Sequence, residues 1–373
     1  MSVLIGADIV PTNSNLDLFS EERIPELLGK ELIDIINSAS FFILNLEVPL
    51  TDINSPIVKE GPNLQAPTKC AAGLKAIGVN LFTLANNHIL DQGEQGLNST
   101  LQVLDHLNIE HIGAGHNLKD AAKPYFVKGK KIKYGVYACA EHEFSIAKVD
   151  SPGANPFDPL ETPDRIKEIK QNCDYLIVLY HGGKEHYRYP SPDLQRICRK
   201  LVEKGADLVI CQHSHCIGCK EDYQSGTIVY GQGNFLFDQQ NDECWNTSLL
   251  LSVSEEGKID YIPLQKNGIG IRLATENESN RILTEFRERS DSILNEEFVQ
   301  QQYIEFANAN IDYYMLFLTG LRENLFFRLV NKLSGYRLQK EIAKRHRYII
   351  KTGLRNYIEC EAHRELILKG LEQ

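Results

Sequence analysis

Short apolar runs that recur between amphipathic segments of helical period constrain this chain more than any other feature. Val3–Ile5 is followed by Ser20–Ser38, in which Ile24, Leu27, Leu28, Leu32, Ile35 and Ile36 fall on one helical face. Phe41–Leu46 then reads as a strand buried on both faces. The alternation continues through a helix carrying Ala71, Leu74 and Ile77 behind Thr68, the strand Leu81–Ala85, a helix over Gly93–Leu107 and the run Ile109–Ile112. Tyr125–Val127 and Ile132–Ala138 flank Lys128-Gly129-Lys130-Lys131, which is hairpin chemistry. A helix marked by Ile166 and Ile169, the strand Tyr175–Tyr180, the helix Pro192–Lys204 and the strand Leu208–Cys211 close the alternating part. Strands in series follow: Thr227–Tyr230, Thr247–Ser252, Lys258–Pro263 and Ile269–Leu273. Alternation followed by consecutive strands predicts an α/β fold, with sheets packed face to face and helices outside.

From about Thr275 the strand signals stop, and helices are expected over Asp291–Ala309, Ile311–Leu333 and Arg337–Leu368. The chain therefore divides in expectation into an α/β domain over residues 1–275 and a helical C-terminal region over 276–373. Residues 300–373 hold 12 Lys and Arg against 8 Asp and Glu, whereas the whole chain carries a net charge of −10. Tyr313–Leu333 then reads as an amphipathic helix packed on the main domain, or as a surface for a partner or an acidic membrane. The overall acidity argues against a nucleic-acid partner. No stretch approaches the roughly 20 apolar residues of a membrane-spanning helix, and the first residues lack the pattern of a cleaved leader. The expected location is cytoplasmic, or peripheral to a membrane. Nine cysteines, an odd number, favour free thiols over a disulfide framework. Cys211, Cys216 and Cys219 cluster around two histidines, but no second C-x-x-C accompanies Cys216 and Cys219 to complete a metal site.

The chemistry sits where the expected strands end. Asp8 follows the first strand, and Asn45 and Glu47 end the second. Asn86, Asn87 and His88 follow Leu81–Ala85, His181 follows Tyr175–Tyr180, and His213 with His215 follow Leu208–Cys211. Ligands of open α/β sheets bind in the crevice outside the carboxyl ends of the strands, so five strand ends deliver oxygen or imidazole groups to one edge. Carboxylate, amide oxygen and imidazole suit hard or borderline divalent cations. The one-residue spacing of His213 and His215 can aim them at two adjacent ions, and Glu47 can bridge the pair. Two divalent metal ions, Mn, Mg, Zn or Fe, are the expected cofactors.

These motifs resemble a known family. Ile5-Gly6-Ala7-Asp8, Asn45-Leu46-Glu47-Val48-Pro49-Leu50-Thr51 and Ala85-Asn86-Asn87-His88-Ile89-Leu90-Asp91-Gln92-Gly93 are similar to the CapA family of capsule and poly-γ-glutamate synthesis proteins. His181-Gly182-Gly183-Lys184-Glu185, Gln212-His213-Ser214-His215 and Tyr230-Gly231-Gln232-Gly233-Asn234-Phe235 continue the match in order, over roughly residues 3–240. The resemblance implies the calcineurin-like metallophosphoesterase fold, a four-layered sandwich of two mixed sheets flanked by helices. It implies Asp8, Glu47, Asn87, His181, His213 and His215 as metal ligands, and His88 as general acid or phosphate-binding histidine. Asn45, Glu185 and Asn234 are expected on the substrate side. Two departures from ordinary phosphoesterases stand out: Val10 occupies the place of a histidine ligand, and Glu47 the place of an aspartate. The implied function is a metal-dependent hydrolase of polymer synthesis, in which metal-bound hydroxide attacks a phosphoester or a γ-glutamyl amide. The rival reading is a non-catalytic binding or scaffold component working beside a polymer-synthesis partner protein. A cysteine redox protein is a third reading, resting on Cys216 and Cys219 alone.

Overall fold

The computed structural model describes residues 2–238, 242–318 and 325–371. The first strand runs Ser2–Val10, longer than its apolar core of Val3–Ile5. It lies at the centre of an eight-stranded mixed sheet. In spatial order the strands are Gly270–Leu273, Ile259–Asn267, Thr247–Ser254, Ser2–Val10, Phe41–Leu46, Leu81–Thr83 and Glu110–Ile112, with Asn234–Phe237 pairing onto the far end of Ser2–Val10. A second mixed sheet orders Lys220–Tyr223, Gly226–Val229, Leu208–Gln212, Tyr175–His181, Lys133–Ala140 and Tyr125–Lys128.

The alternation of side chains along Tyr175–His181 shows how the layers stack. Ile177 and Leu179 join the large core shared with the first sheet, together with Leu208 and Ile210 of the next strand. Leu176, Val178 and Tyr180 point the other way, into a second core built with Ile166, Ile169, Leu194, Cys198 and Leu201 of the covering helices. On the outer face of the first sheet, Leu27, Leu28, Leu32, Leu97, Leu101 and Leu104 bury the apolar stripes of their own helices. The order is helix, sheet, sheet, helix, as expected for the four-layered sandwich.

Some elements depart from expectation. The helix expected over Ser20–Ser38 breaks into Ile24–Leu28 and Lys30–Ser38, because Gly29 takes a φ of 71° that a helix cannot accommodate. Lys220–Tyr223 and Asn234–Phe237 are short strands with no period of their own to announce them. A helix runs Glu276–Ser292, opened by a capping box between Thr275 and Glu278, and buries Ile282, Phe286 and Ser290. Ile282 and Phe286 belong to the main core. The first compact unit accordingly extends to Val299, past the boundary expected after residue 275. The described residues of the second unit, Gln300–Gln373, are mainly helical, with Leu325–Leu333 and Arg337–Glu359 joined through Asn331, whose Nδ2 donates to Gln339 Oε1 at 2.9 Å. Residues 319–324 of the helix expected over Ile311–Leu333 lie outside the described residues. Among the described residues no helix is long and apolar enough to cross a membrane.

Candidate metal centre

Strand pairing brings the candidate residues into one place. Asp8 stands in register beside Asn45 on one side and Asn234 on the other. In the second sheet His181 stands beside Gln212, directly before His213. The two sheets are tied at this edge by amides: Gln212 Nε2 donates to Gly6 O at 3.2 Å, and Gln232 Nε2 to Ile5 O at 2.9 Å. Gly6 is also needed within the first sheet: a Cβ there would collide with Leu44 Cδ2 of the neighbouring strand and press on the Phe235 ring. His213 and His215 both hold positive φ, 95° and 53°, a strained backbone for residues with a side chain and one that turns both rings toward the same space.

Asp8, Glu47, His181, His213 and His215 are all buried, and two sets of donor atoms form among them. Glu47, His181 and His213 make one set, and Asp8, Glu47 and His215 the other, with the atoms of each set within 4.8 Å of one another. Around His181 Nε2, Glu47 Oε1, Asn87 Oδ1 and His213 Nδ1 each lie at 3.1 Å. One imidazole nitrogen carries at most one proton, so it cannot satisfy three such neighbours. Lone pairs converging at this spacing match the edges of a coordination shell, where ligands about 2.1 Å from an ion lie roughly 3.0–3.4 Å apart. Asp8 Oδ2 and both oxygens of Glu47 receive no aligned hydrogen bond among the described residues. Bare buried carboxylate oxygens are costly without a counter-charge. The residues present fit divalent cations.

The electrostatics follow from the same crowding. Burial and the neighbouring Glu47 push the Asp8 carboxyl up to about 6. Burial also works to raise Glu47, but His181 and His215 outweigh it and hold that carboxyl below the usual range. Burial opposes charge on His181, yet Glu47 and Asp8 prevail and raise its pKa. Burial and the adjacent His181 and His215 drive His213 well below its ordinary value, which keeps its ring neutral, the state a metal ligand needs.

The remaining expected residues have distinct places. His88 Nδ1 lies 2.6 Å from Asp91 Oδ2 and 3.2 Å from Lys59 Nζ, and Lys59 also pairs with Asp91. Asn45, expected on the substrate side, is fully buried; its Nδ2 donates to Asp8 Oδ1 at 2.7 Å, and its Oδ1 accepts from Thr83 and Asn86. Asn234 likewise turns to the protein, with Oδ1 2.8 Å from His215 Nδ1. Glu185 is exposed, with Oε1 3.9 Å from His213 Nε2. Three residues at the site carried no sequence signal. Lys59 lies in an irregular stretch without period, yet its side chain is only 3% exposed. Glu141 accepts from Gly183 N at 2.9 Å and so holds the turn after His181, where a Cβ on Gly182 would meet Glu141 Cγ at 2.7 Å. Trp245 stacks on His215 with ring centroids 4.5 Å apart. An open cleft of about 430 Å³ is lined in part by Val10 and Val48, which follow Asp8 and Glu47 closely in sequence, and by Thr12, Asn13, Asn63 and Gln65. Its carboxylate, Asp238, is paired with Lys266 at 2.6 Å.

Residues 7–239 match the family described as bacterial capsule synthesis protein PGA_cap. The chain belongs to this family. The resemblance read from the motifs is thereby borne out. This PGA_cap-family chain is 30% identical over 258 residues to the PGA biosynthesis protein CapA of Bacillus subtilis (strain 168), covering 67% of this chain and 65% of that protein. It is 30% identical over 183 residues to the capsule biosynthesis protein CapA of Bacillus anthracis, covering 48% of this chain and 44% of that protein. The chain thus spans less than two thirds of the length of either relative. Solved structures similar to it include a phosphatase from Mycoplasma pneumoniae, at 14% identity and a TM-score of 0.43, covering 72% of this chain and 94% of that one. A 5'-nucleotidase precursor from Thermus thermophilus is 12% identical with a TM-score of 0.38, covering 83% of this chain and 58% of that one.

Proposed function

We propose that this chain is a metal-dependent hydrolase of capsule or poly-γ-glutamate synthesis, acting on a phosphoester or an amide. The observation that carries the reading is the convergence of bare buried oxygens of Asp8 and Glu47 on His181, His213, His215 and Asn87. We assign Glu47, His181, His213 and Asn87 to one divalent cation and Asp8, Glu47 and His215 to another, with Glu47 shared. Such a pair of ions supplies Lewis-acid activation of water and stabilises charge on the attacked group. Val10 adds no ligand where a histidine is usual, so the Asp8 side of the centre would keep a coordination position free for water or substrate.

Asn45 and Asn234 orient Asp8 and His215, the work of residues that stand behind ligands. Asp91 and Lys59 fix His88 through Nδ1, so proton transfer to a leaving group falls to Nε2. The cleft presents amides and hydroxyls from Thr12, Asn13, Asn63 and Gln65, suited to orienting a polymer segment by hydrogen bonds. Glu185 stands at the exposed rim beside His213 and is assigned to substrate contact.

The test is metal content by mass spectrometry, together with hydrolysis of bis(p-nitrophenyl) phosphate and γ-glutamyl-p-nitroanilide. The reading predicts bound divalent metal and turnover of one substrate class that EDTA abolishes. Stoichiometric metal without turnover of either would favour a binding or scaffold role in a synthesis complex, which the missing ligand at Val10 also favours. Absence of bound metal sinks both.

A further inference from the structure

Surface helices ordinarily turn their apolar stripe inward. The helix Leu325–Leu333 does the reverse. It buries Phe327 and the amide of Asn331. Asn331 pins it to the helix Arg337–Glu359, donating to Gln339 Oε1 at 2.9 Å and accepting from Gln339 N at 3.0 Å. Leu325, Phe326, Leu329 and Leu333 are left 77%, 76%, 58% and 79% exposed. At 3.6 residues per turn these four fall within an arc of about 100°, roughly opposite Phe327 and Asn331. Single apolar side chains on a surface are ordinary, but a contiguous set marks an interaction site.

The charges around the arc select what can cover it. Arg328 and Lys332, both exposed, line one edge of it. Arg337, Lys340, Lys344 and Arg345 follow, also exposed. Residues 325–345 thus carry six basic side chains against one acid, Glu341, in a chain of net charge −10. We propose that this segment docks on a membrane surface of anionic phospholipid, with Leu325–Leu333 lying in its plane. Leu325, Phe326, Leu329 and Leu333 enter the boundary of the acyl chains, while Arg328 and Lys332 reach back to the phosphates. Interfacial helices take this form, an apolar face bordered by basic side chains whose stems bring the charge up to the headgroups. Nine residues rise roughly 14 Å, too short to span a bilayer and long enough to lie within one leaflet's interface. A second copy of the chain fits worse, because pairing this face with itself brings like charges together. An acidic protein would need a shaped hole for each of the four side chains, whereas acyl chains conform to them. Each basic residue held near an anionic surface strengthens binding on the order of fivefold.

Flotation of the full chain with vesicles of phosphatidylcholine or of phosphatidylglycerol, at low and high salt, tests the assignment. Binding should favour phosphatidylglycerol by about tenfold or more and weaken as salt rises. The double variants Leu325→Ser/Phe326→Ser and Arg328→Glu/Lys332→Glu should each lose about tenfold or more, with circular dichroism melts unchanged because all four positions are exposed. Should either variant fold poorly, Phe326→Trp decides: its added fluorescence should shift to the blue with phosphatidylglycerol vesicles and not with phosphatidylcholine. Equal flotation with the two lipids, or flotation that Leu325→Ser/Phe326→Ser leaves intact, overturns the proposal. So does a dimer that this variant abolishes in a chain that never floats, or salt-sensitive uptake of soluble polyglutamate without any lipid binding. None of these readouts involves metal or hydrolysis, so the hydrolase reading stands or falls separately.

Discussion

Replacing Asp8 by Asn should stabilise the metal-stripped protein at alkaline pH and abolish its stabilisation by divalent cations. Asp8 is 1% exposed, and burial with the neighbouring Glu47 raises its carboxyl from 3.8 to about 6. A folded-state pKa above the unfolded one means that the native chain binds this proton more tightly. The group's contribution is therefore present below about pH 4 and is lost as pH rises through 6. The difference, 6 minus 3.8, is about 2 units, or roughly 3 kcal/mol at pH 8 as an upper figure. Asn keeps an acceptor for Asn45 Nδ2 at 2.7 Å, but sets an amide N–H where Oδ2 has no partner, which takes back about 1–2 kcal/mol. A net gain of about 1–2 kcal/mol is roughly 2–8 °C in Tm. Cations at 100 times Kd should add about 2.7 kcal/mol per independent site to the unsubstituted protein and far less to the variant. Trp245 is the single tryptophan and stacks on His215, so its fluorescence follows unfolding at the centre itself. Melts at pH 5 and pH 8, in EDTA and in Mn²⁺, should show the variant ahead in EDTA at pH 8, a smaller gap at pH 5, and the order reversed in Mn²⁺. A stripped variant melting several degrees below the unsubstituted protein at pH 8 would show that the chain's own groups already satisfy the Asp8 charge. Indifference of the unsubstituted protein to Mn²⁺, Mg²⁺, Zn²⁺ and Fe²⁺ would refute the metal centre.

His88→Ala should keep its metal while losing about 10²–10⁴-fold in rate. Metal loss equal to that of His213→Ala would make His88 a ligand instead. Gly73→Ala drives a Cβ into Phe19 O and should cost about 1–3 kcal/mol in denaturant unfolding; an unchanged midpoint would mean that the helix Cys70–Ala76 shifts freely. A fragment ending at Val299 should melt cooperatively and bind metal. One ending at residue 275 loses the helix that buries Ile282 and Phe286 and should melt lower or aggregate, and equal melting of the two would make that helix dispensable.

Local pattern carried much of this protein. The strands Phe41–Leu46, Tyr175–His181 and Leu208–Gln212 were legible because buried strands are apolar on both faces, a property each segment states alone. The position of Glu47, His181, His213 and His215 at or just past strand ends was legible for the same reason, whereas Asp8, expected after the first strand, lies two residues inside Ser2–Val10, because pairing with Asn234–Phe237 carries that strand beyond its apolar run. The break at Gly29 was not, because glycine is tolerated inside a helical pattern and only the packing of Ile24–Leu28 and Lys30–Ser38 demands φ of 71° there. Nor was the extension of the first unit through Glu276–Ser292, whose apolar face is too sparse to announce what it covers. Tertiary structure alone joined the two sheets through Gln212 and Gln232, bringing Asp8 and Glu47 from one against three histidines from the other. It alone set Lys59 on Asp91 and laid Trp245 over His215. Periodicity records which face of an element is buried; it holds nothing about which distant side chain will lie against that face, because that choice is made by the packing of whole layers.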